Sequence, residues 1–234
     1  MSSRNTHSTY STVLFDLDGT LTDPKPGITK SVQYALLRLD IRADDLEQLT
    51  PFIGPPLVES FMRYYALDAR TAQRALDYYR EYFAETGIFE NAVYPGIVDL
   101  LAWQREQGRT LAVATSKPAV YAERIISHFH LADYFTLVAG SELDGSRAAK
   151  AEVIAYALDA LPVADPVTCV MVGDRMHDVI GARENGVASV AVAYGYGSLE
   201  ELRAAGPTHL VRTVEELGGV LGCPHPPNPI PPFQ

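Results

Sequence analysis

Two aspartates, Asp16 and Asp18, stand one residue apart in the stretch VLFDLDGTLTDPKPG (13–27), directly after an apolar run. Gly19 and Thr20 follow at once. Glycine there permits a sharp turn that brings backbone N–H groups close to a ligand, and Thr20 can cap the next turn. Two carboxylates this close repel each other, so a bound cation would explain the arrangement. The same residues also make a good surface turn, and the pair alone does not decide between the two.

A second acidic pair lies in the segment VMVGDRMHDVIGARENG (170–186). Asp174 ends another apolar run, and Asp178 follows four residues later, hence one helical turn away on the same face. Taken alone, Asp174 could simply cap a helix. Two strand ends that each present carboxylates indicate instead a site for a hard divalent cation such as Mg²⁺, which also accepts phosphate oxygens.

Hydrogen-bond donors and a cation occur at comparable positions. Thr115 and Ser116 follow the apolar run TLAVA just before Pro118, so a helix start there would aim hydroxyl and N–H groups at an anion. Helix capping explains Ser116 equally well. Lys150, in GSRAAKAEVIAYAL (145–158), begins a predicted helix whose start should face the same edge, although a surface lysine is the ordinary use.

The elements that must position these residues alternate between strands and helices. Predicted strands are TVLFDL (12–17), TLAVAT (110–115), VTCVMVG (167–173), ASVAVAYG (188–195) and the weaker YFTLVAG (134–140). Helical patterns cover 96–107, 118–129, 148–161 and 178–185. Apolar runs without alternation are typical of strands buried on both faces of a parallel sheet. We therefore expect a doubly wound, Rossmann-like α/β fold, with ligands at the carboxyl ends of the strands.

The stretch from 24 to 93 breaks this rhythm, because it shows helical patterns and no strand signal. ITKSVQYALLRL (28–39) and DARTAQRALDYYREYFAETG (68–87) are its clearest helices. An inserted helical cap is the simplest explanation, with DPKPG (23–27) and TGIFENAVYPG (86–96) as paired hinges. The predicted domains are a catalytic core at 1–23 and 94–222, the cap at 24–93 and a proline-rich tail at 223–234.

The predicted cap is rich in aromatic residues, which pack between helices in most proteins and can also form a base-stacking surface. They include Tyr64, Tyr65, Tyr78, Tyr79, Tyr82 and Phe83.

Composition narrows the class of protein. The chain has 234 residues and a formal net charge of −10, which disfavours binding to nucleic-acid polymers or anionic membranes but not to a small anionic substrate. No segment approaches the roughly 20 apolar residues needed to span a bilayer. Cys169 and Cys223 are the two cysteines, and the first sits in an apolar run where a reduced, buried thiol is expected. We expect a cytoplasmic protein, either a monomer or a homodimer.

Taken in order, these motifs resemble those of a known family. Asp-Leu-Asp-Gly-Thr on the first strand, then Thr115, Lys150 and Gly173-Asp174 with Asp178, resemble the four motifs of the haloacid dehalogenase superfamily of phosphohydrolases, over residues 12 to 220. The insertion resembles that superfamily's phosphoglycolate phosphatase-type cap. PFIGPPLVESF (51–61) and GDRMHDVIGARENG (173–186) resemble its 5′-nucleotidase-like group. Lys150 is followed by Ala-Glu-Val-Ile and not by the Pro-x-Pro common in phosphoglycolate phosphatases.

The resemblance implies a role for each residue of the catalytic motifs. Asp16 would be the nucleophile and Asp18 the general acid and base. Mg²⁺ would be held by Asp16, the backbone carbonyl of Asp18 and Asp174, with Asp178 acting through water or as a support. Thr115 and Lys150 would neutralise the phosphoryl oxygens.

Five further residues are expected near the substrate: Gly19, Thr20, Ser116, Gly54 and Arg147. Gly54 is more simply a turn residue between prolines, and Arg147 a solvated side chain. His177 is expected on the helix surface.

The expected activity is Mg²⁺-dependent hydrolysis of small phosphomonoesters, such as nucleoside monophosphates, through an aspartyl phosphate. A phosphoglycolate phosphatase and a sugar phosphomutase of the same superfamily are the alternatives. A phosphoaccepting receiver module is disfavoured, because such modules are about half this length and carry no cap.

Overall fold

The computed structural model describes residues 10–162 and 165–223, which form an α/β core with helices inserted after its first strand. The strands are β1 (Thr12–Phe15), β2 (Thr22–Asp23), β3 (Ala92–Val93), β4 (Thr110–Pro118), β5 (Leu137–Ser141), β6 (Cys169–Gly173), β7 (Ala188–Val192) and β8 (His209–Val211). The α-helices are α1 (Lys25–Leu37), α2 (Leu57–Tyr65), α3 (Ala69–Glu85), α4 (Ile97–Glu106), α5 (Ala119–His128), α6 (Lys150–Ala160), α7 (Met176–Glu184), α8 (Leu199–Ala205) and α9 (Val214–Val220).

Six strands form one parallel sheet in the order β5-β4-β1-β6-β7-β8. The central strand β1 is covered on both faces, because Val13 and Phe15 pack into one hydrophobic cluster and Leu14 into another. All three side chains are fully buried, which explains the apolar run without alternation. The predicted doubly wound α/β fold is confirmed.

The order of the strands places the acidic pairs next to each other. β1 ends at Phe15 and its neighbour β6 ends at Gly173, so Asp16 and Asp174 leave adjacent strands at the same edge of the sheet. In a doubly wound sheet this edge is where ligands bind.

The segment after Thr115 differs from the prediction. β4 continues through an irregularity in register to Pro118, which is itself the N-cap of α5. Ser116 therefore lies in the strand and does not begin a helix. Its carbonyl accepts a hydrogen bond from Ser141 Oγ at 2.9 Å, which joins the ends of β4 and β5.

The inserted cap contains α1, α2 and α3. At its base, β2 and β3 form a short antiparallel ribbon that pairs Thr22 with Val93 and Asp23 with Ala92. Both predicted hinge segments thus contribute to regular structure, and α1 already begins at Lys25. Strands of two residues leave no periodicity in a sequence, which is why the prediction showed none here.

The aromatic residues of the cap mostly pack between its helices, as Phe52 does against Phe61, Tyr64 and Tyr65. Cys169 is buried and unbonded to another cysteine, as expected. Among the described residues, no helix is both long enough and apolar enough to cross a membrane. The predicted proline-rich tail lies outside the described residues, apart from Cys223.

Candidate active site

Three buried carboxylates meet at the edge of the sheet. Asp16, Asp174 and Asp178 each offer one oxygen, and these oxygens all lie within 4.8 Å of one another. Oδ2 of Asp174 accepts a hydrogen bond from the backbone N–H of Tyr196 at 2.7 Å, whereas its buried Oδ1 has no hydrogen-bond partner among the described residues. Burial, and then the charges of Asp16 and Asp178, raise the pKa of Asp174 well above its usual range.

Lys150 bridges this cluster from the start of α6. Its Nζ lies 2.7 Å from Asp16 Oδ1, 2.9 Å from Asp178 Oδ1 and 3.0 Å from the carbonyl oxygen of Ala114. Burial alone would lower the pKa of Lys150, but the charges of Asp16 and Asp178 outweigh it and raise the pKa. The structure therefore gives this lysine a place inside the site and not on the surface.

Asp18 faces a different cation, Lys117, which the sequence analysis did not single out. Lys117 Nζ lies 2.6 Å from Asp18 Oδ2, and both side chains are nearly buried. The same ammonium sits 4.6 Å from the ring centroid of Phe83 in the cap helix α3. Burial raises the pKa of Asp18 even though Lys117 acts in the opposite direction. A carboxyl with a raised pKa suits a group that must both give and take a proton.

The turn after β1 is shaped by close packing. Gly19 has a φ of +81°, and a Cβ at this position would lie 2.2 Å from Asp174 Oδ2. Only glycine fits between the turn and that carboxylate. The N–H of Gly19 donates to the carbonyl of Thr22 at 2.7 Å, so it is engaged within the turn.

Thr20 and Thr115 occupy different places. The Thr20 hydroxyl is buried without a hydrogen-bond partner in the described part of the chain, so the predicted capping role is wrong. Thr115 lines the cavity described below, and its Oγ1 accepts a 3.3 Å hydrogen bond from the N–H of Lys117.

The backbone at the start of α7 fixes the position of the Asp178 carboxyl group. Arg175, and not Asp174, is the N-cap residue, and its N–H donates to Asp178 Oδ2 at 3.0 Å. A Cβ on Gly173 would lie 2.1 Å from Asp178 Cγ, so the end of β6 packs directly against that carboxyl. Asp174 is therefore free of any helix-capping role and can face the other carboxylates.

A cavity of about 490 Å³ opens above these groups, between the core and the cap. Asp16, Asp18, Thr115, Lys117 and Lys150 lie on its core side. The cap side is largely aromatic and apolar, and includes Phe52, Leu57, Leu76, Tyr79 and Phe83. The cavity thus combines a charged floor with a largely apolar roof that also carries Glu59 and Arg80, a pattern typical of sites for small organic ligands.

One cap loop is held directly to the core. Arg175 Nη1 donates to the carbonyl of Ile53 at 2.7 Å, while its Nε contacts Glu201 Oε1 at 2.9 Å. The next residue, Gly54, lines the cavity with a φ of +102°, and a Cβ there would lie 2.8 Å from Arg175 Nη1. Gly54 is therefore more than a turn residue, because it leaves room for this contact.

Replacing Gly54 by Ala is expected to raise KM for the substrate about threefold to tenfold, roughly the effect of losing one hydrogen bond. The new Cβ would strain the backbone and displace Arg175 from the carbonyl of Ile53. Gly108→Ala is the matched control, since Gly108 also has a positive φ, +75°, but a Cβ there meets nothing within 4 Å. Equal KM values for the two variants would contradict the assigned contact.

The other predicted site residues divide in two. Ser116 lines the cavity beside Thr115, and the exposed His177 lies at its rim. Arg147 is not among the residues that line it, and its contact with the leaving group stays a prediction. Its side chain donates to the carbonyl of Gly140 at 2.9 Å, pairs with Glu142 and covers the ring of Tyr156.

Comparison with known proteins agrees with this geometry. A model of the haloacid dehalogenase-like hydrolase family matches residues 13–192. A 5′-nucleotidase from Pseudomonas aeruginosa is 51% identical over 212 residues, which are 91% of this chain and 96% of that protein. Tyrosine-protein kinase PtkA from Mycobacterium tuberculosis is 40% identical over a match that covers 90% of this chain and 72% of that protein. The crystal structure of a predicted phosphatase from Clostridium acetobutylicum is similar with a TM-score of 0.86 and 51% identity, covering 90% of this chain and 97% of that one.

Proposed function

The chain belongs to the haloacid dehalogenase-like hydrolase family and is a phosphatase of that family, and we propose that it hydrolyses nucleoside monophosphates in a Mg²⁺-dependent reaction through a phosphorylated Asp16. The observation that carries the proposal is the meeting of Asp16, Asp174 and Asp178 around Lys150 on the floor of a capped cavity. The likeness to a protein named 5′-nucleotidase supports the choice of substrate.

The carboxylate cluster fits a divalent cation. Asp174 Oδ1 is buried without a partner in the described residues, and burying like charges together is costly unless a cation offsets them. Asp16 and Asp174 would hold Mg²⁺ with the backbone carbonyl of Asp18, and Asp178 would support it. When bound, the ion would draw negative charge from the phosphoryl oxygens and orient the substrate.

Asp16 has the geometry of a nucleophile. Its Oδ1 is held by Lys150, whereas no described residue donates a hydrogen bond to its Oδ2. In the proposed first step, a carboxylate oxygen of Asp16 forms a bond to phosphorus while the bond from phosphorus to the ester oxygen breaks. The leaving oxygen takes the electron pair of that bond and a proton from Asp18.

The second step regenerates the protein. Asp18, now ionised, takes a proton from a water molecule whose oxygen attacks phosphorus, and the bond between phosphorus and Asp16 breaks. Inorganic phosphate leaves, and Asp18 has regained its proton. Thr115 and Lys150 would stabilise the charge on the phosphoryl oxygens in both steps, since positioned donors supply most of the catalysis in phosphoryl transfer.

The cavity also bears on the substrate class. Its volume of about 490 Å³ and its aromatic wall of Tyr79, Phe83 and Tyr121 suit a leaving group with a sugar and a flat base. Glycolate is much smaller and carries a charged carboxylate. These features favour a nucleoside monophosphate over phosphoglycolate.

Replacing Asp174 by Asn is expected to raise the Mg²⁺ concentration needed for half-maximal activity by roughly 10- to 100-fold or more, because a neutral amide is a poorer ligand than a carboxylate. Mg²⁺ titrations of phosphate release measure this directly. Asp159→Asn, at an exposed carboxylate of α6 far from the cavity lining, is the control and should leave the titration unchanged. An unaltered titration for the Asp174 variant would contradict its role as a ligand.

Phosphate release across a substrate panel tests the proposal. Nucleoside monophosphates, phosphoglycolate, hexose phosphates and p-nitrophenyl phosphate are compared with Mg²⁺ and with a chelator. We expect the highest kcat/KM for a nucleoside monophosphate and no release with the chelator. A preference for phosphoglycolate, or isomerisation of a hexose phosphate without hydrolysis, would overturn the substrate assignment in favour of the corresponding alternative.

A further inference from the structure

Tyr79 is a cap residue that brings an aromatic ring and a hydroxyl to the cavity. It lies in the middle of α3, is only 5% exposed, and lines the cavity. Its ring stacks on Phe83 with centroids 5.2 Å apart and an interplanar angle of 16°. Its hydroxyl makes no hydrogen bond with any described residue. Because Tyr79 lines the cavity, its hydroxyl is open to a partner that enters with a ligand.

The position of Tyr79 is fixed relative to Asp18 by a chain of contacts. Tyr79 stacks on Phe83, Phe83 lies against the ammonium of Lys117, and Lys117 pairs with Asp18. Burial raises the pKa of Tyr79 well above its usual value, and the charge of Asp18 adds to this effect. The phenol therefore stays protonated and can donate a hydrogen bond at any working pH.

The geometry of phosphoryl transfer decides which part of the substrate Tyr79 can reach. The attacking and leaving oxygens lie roughly in line on opposite sides of phosphorus. Asp16 attacks from the core, so the leaving group points toward the cap. Asp18, which protonates the leaving oxygen in the proposed reaction, is connected to Tyr79 through the contacts of Lys117 and Phe83. A hydroxyl on the cap near Asp18 thus lies beside the leaving alcohol, and the phosphoryl oxygens face the donors of the core.

We propose that the Tyr79 hydroxyl donates a hydrogen bond to a sugar oxygen of the leaving nucleoside, a few bonds from the ester oxygen, and so selects esters of sugars over esters of simple or aromatic alcohols. This inference rests on the proposed function and assigns Tyr79 as a specificity-determining residue. The contact exists before and during the reaction, so it contributes to substrate binding and not to the chemical step.

Tyr79→Phe is the direct test, because it removes one oxygen and keeps the ring that stacks on Phe83. We expect KM for a nucleoside monophosphate to rise about tenfold, the upper range for one lost neutral hydrogen bond, with kcat within about twofold of the original. Both constants for p-nitrophenyl phosphate, whose leaving group has no sugar oxygen, should stay within about twofold. Tyr82→Phe is the matched control, since that hydroxyl lies on the same helix and meets Glu90 at 3.2 Å, away from the cavity.

The remaining outcomes would overturn the inference. If Tyr79→Phe impairs the kinetic constants of both substrates equally, the hydroxyl acts at the phosphoryl group or at Asp18. If Tyr79→Phe keeps the KM values of the unaltered protein, the hydroxyl does not make the assigned contact. The proposed function would still stand. Turnover of the aryl ester alone by the unaltered protein, or of neither ester, would overturn the nucleotide assignment and this inference with it.

Discussion

Replacing Asp16 by Asn is expected to lower kcat for nucleoside monophosphates on the order of 10⁴-fold or more, the scale seen when a catalytic nucleophile is removed. The amide nitrogen and oxygen of Asn have almost no nucleophilicity at neutral pH, so no covalent intermediate can form. The change keeps the size and shape of the side chain. Initial rates of phosphate release at saturating substrate and Mg²⁺ measure the loss.

The same variant should remain folded. Asp16 adds negative charge beside Asp174 and Asp178, and Lys150 keeps its contact with Asp178 when Asp16 becomes neutral. Thermal unfolding in the absence of Mg²⁺ checks this expectation. Asp133→Asn, at an exposed carboxylate outside the cavity lining, is the matched control and should keep full activity. An Asp16 variant that is folded and fully active would show that another group attacks phosphorus.

Replacing Asp18 by Asn is expected to lower kcat by about 10²- to 10⁴-fold, the usual contribution of a general acid and base. The effect should depend on the leaving group. A nucleoside alcohol needs the proton of Asp18 to leave, whereas p-nitrophenolate leaves readily without one. With the aryl ester, the first step should stay comparatively fast, and the second step should be slow because nothing takes the proton from the attacking water.

The consequence is a burst of p-nitrophenolate equal to the concentration of active sites, followed by slow turnover. Stopped-flow absorbance measures both phases. Lys117 loses its charged partner in this variant, so thermal unfolding must accompany the kinetics. An equal fall in kcat for both esters, without a burst, would contradict the role of Asp18 in the second step.

The residues that the sequence analysis placed best are those that follow buried strands. Asp16 and Asp174 could be located because fully buried parallel strands leave continuous apolar runs, and carboxylates after such runs lie at one edge of the sheet. Lys150 was expected at the same edge for a related reason, because a helix that follows a strand begins near it. Local patterns therefore sufficed for the floor of the cavity.

Lys117 and Arg175 show what local patterns miss. Lys117 reaches Asp18 because β4 extends to Pro118 through an irregular register, and a sequence carries little sign of such an extension. A lysine two residues after the strand-end threonine was the available signal. Arg175 contacts the carbonyl of Ile53 in the cap, and this contact depends on how the cap sits over the core.

Arg147 shows how little sequence proximity says about the direction of a side chain. Its position close to Lys150 in the sequence allowed a place near the leaving group, and a solvated side chain was the simpler interpretation. The structure gives it a φ of +55° in the preceding loop, and its side chain turns toward Gly140 and Glu142. Backbone conformations of this kind are unusual for arginine and are not foreseeable from sequence spacing.

The proposed covalent intermediate can be tested by locating the transferred phosphoryl group. The unaltered protein is mixed with p-nitrophenyl phosphate and Mg²⁺, quenched with acid during the first turnover, digested in the cold and analysed by mass spectrometry. We expect one phosphoryl group on the peptide that contains Asp16, with fragment ions that assign it to this residue. A phosphoryl group on another residue, or none on any peptide while p-nitrophenolate is released in a burst, would contradict it.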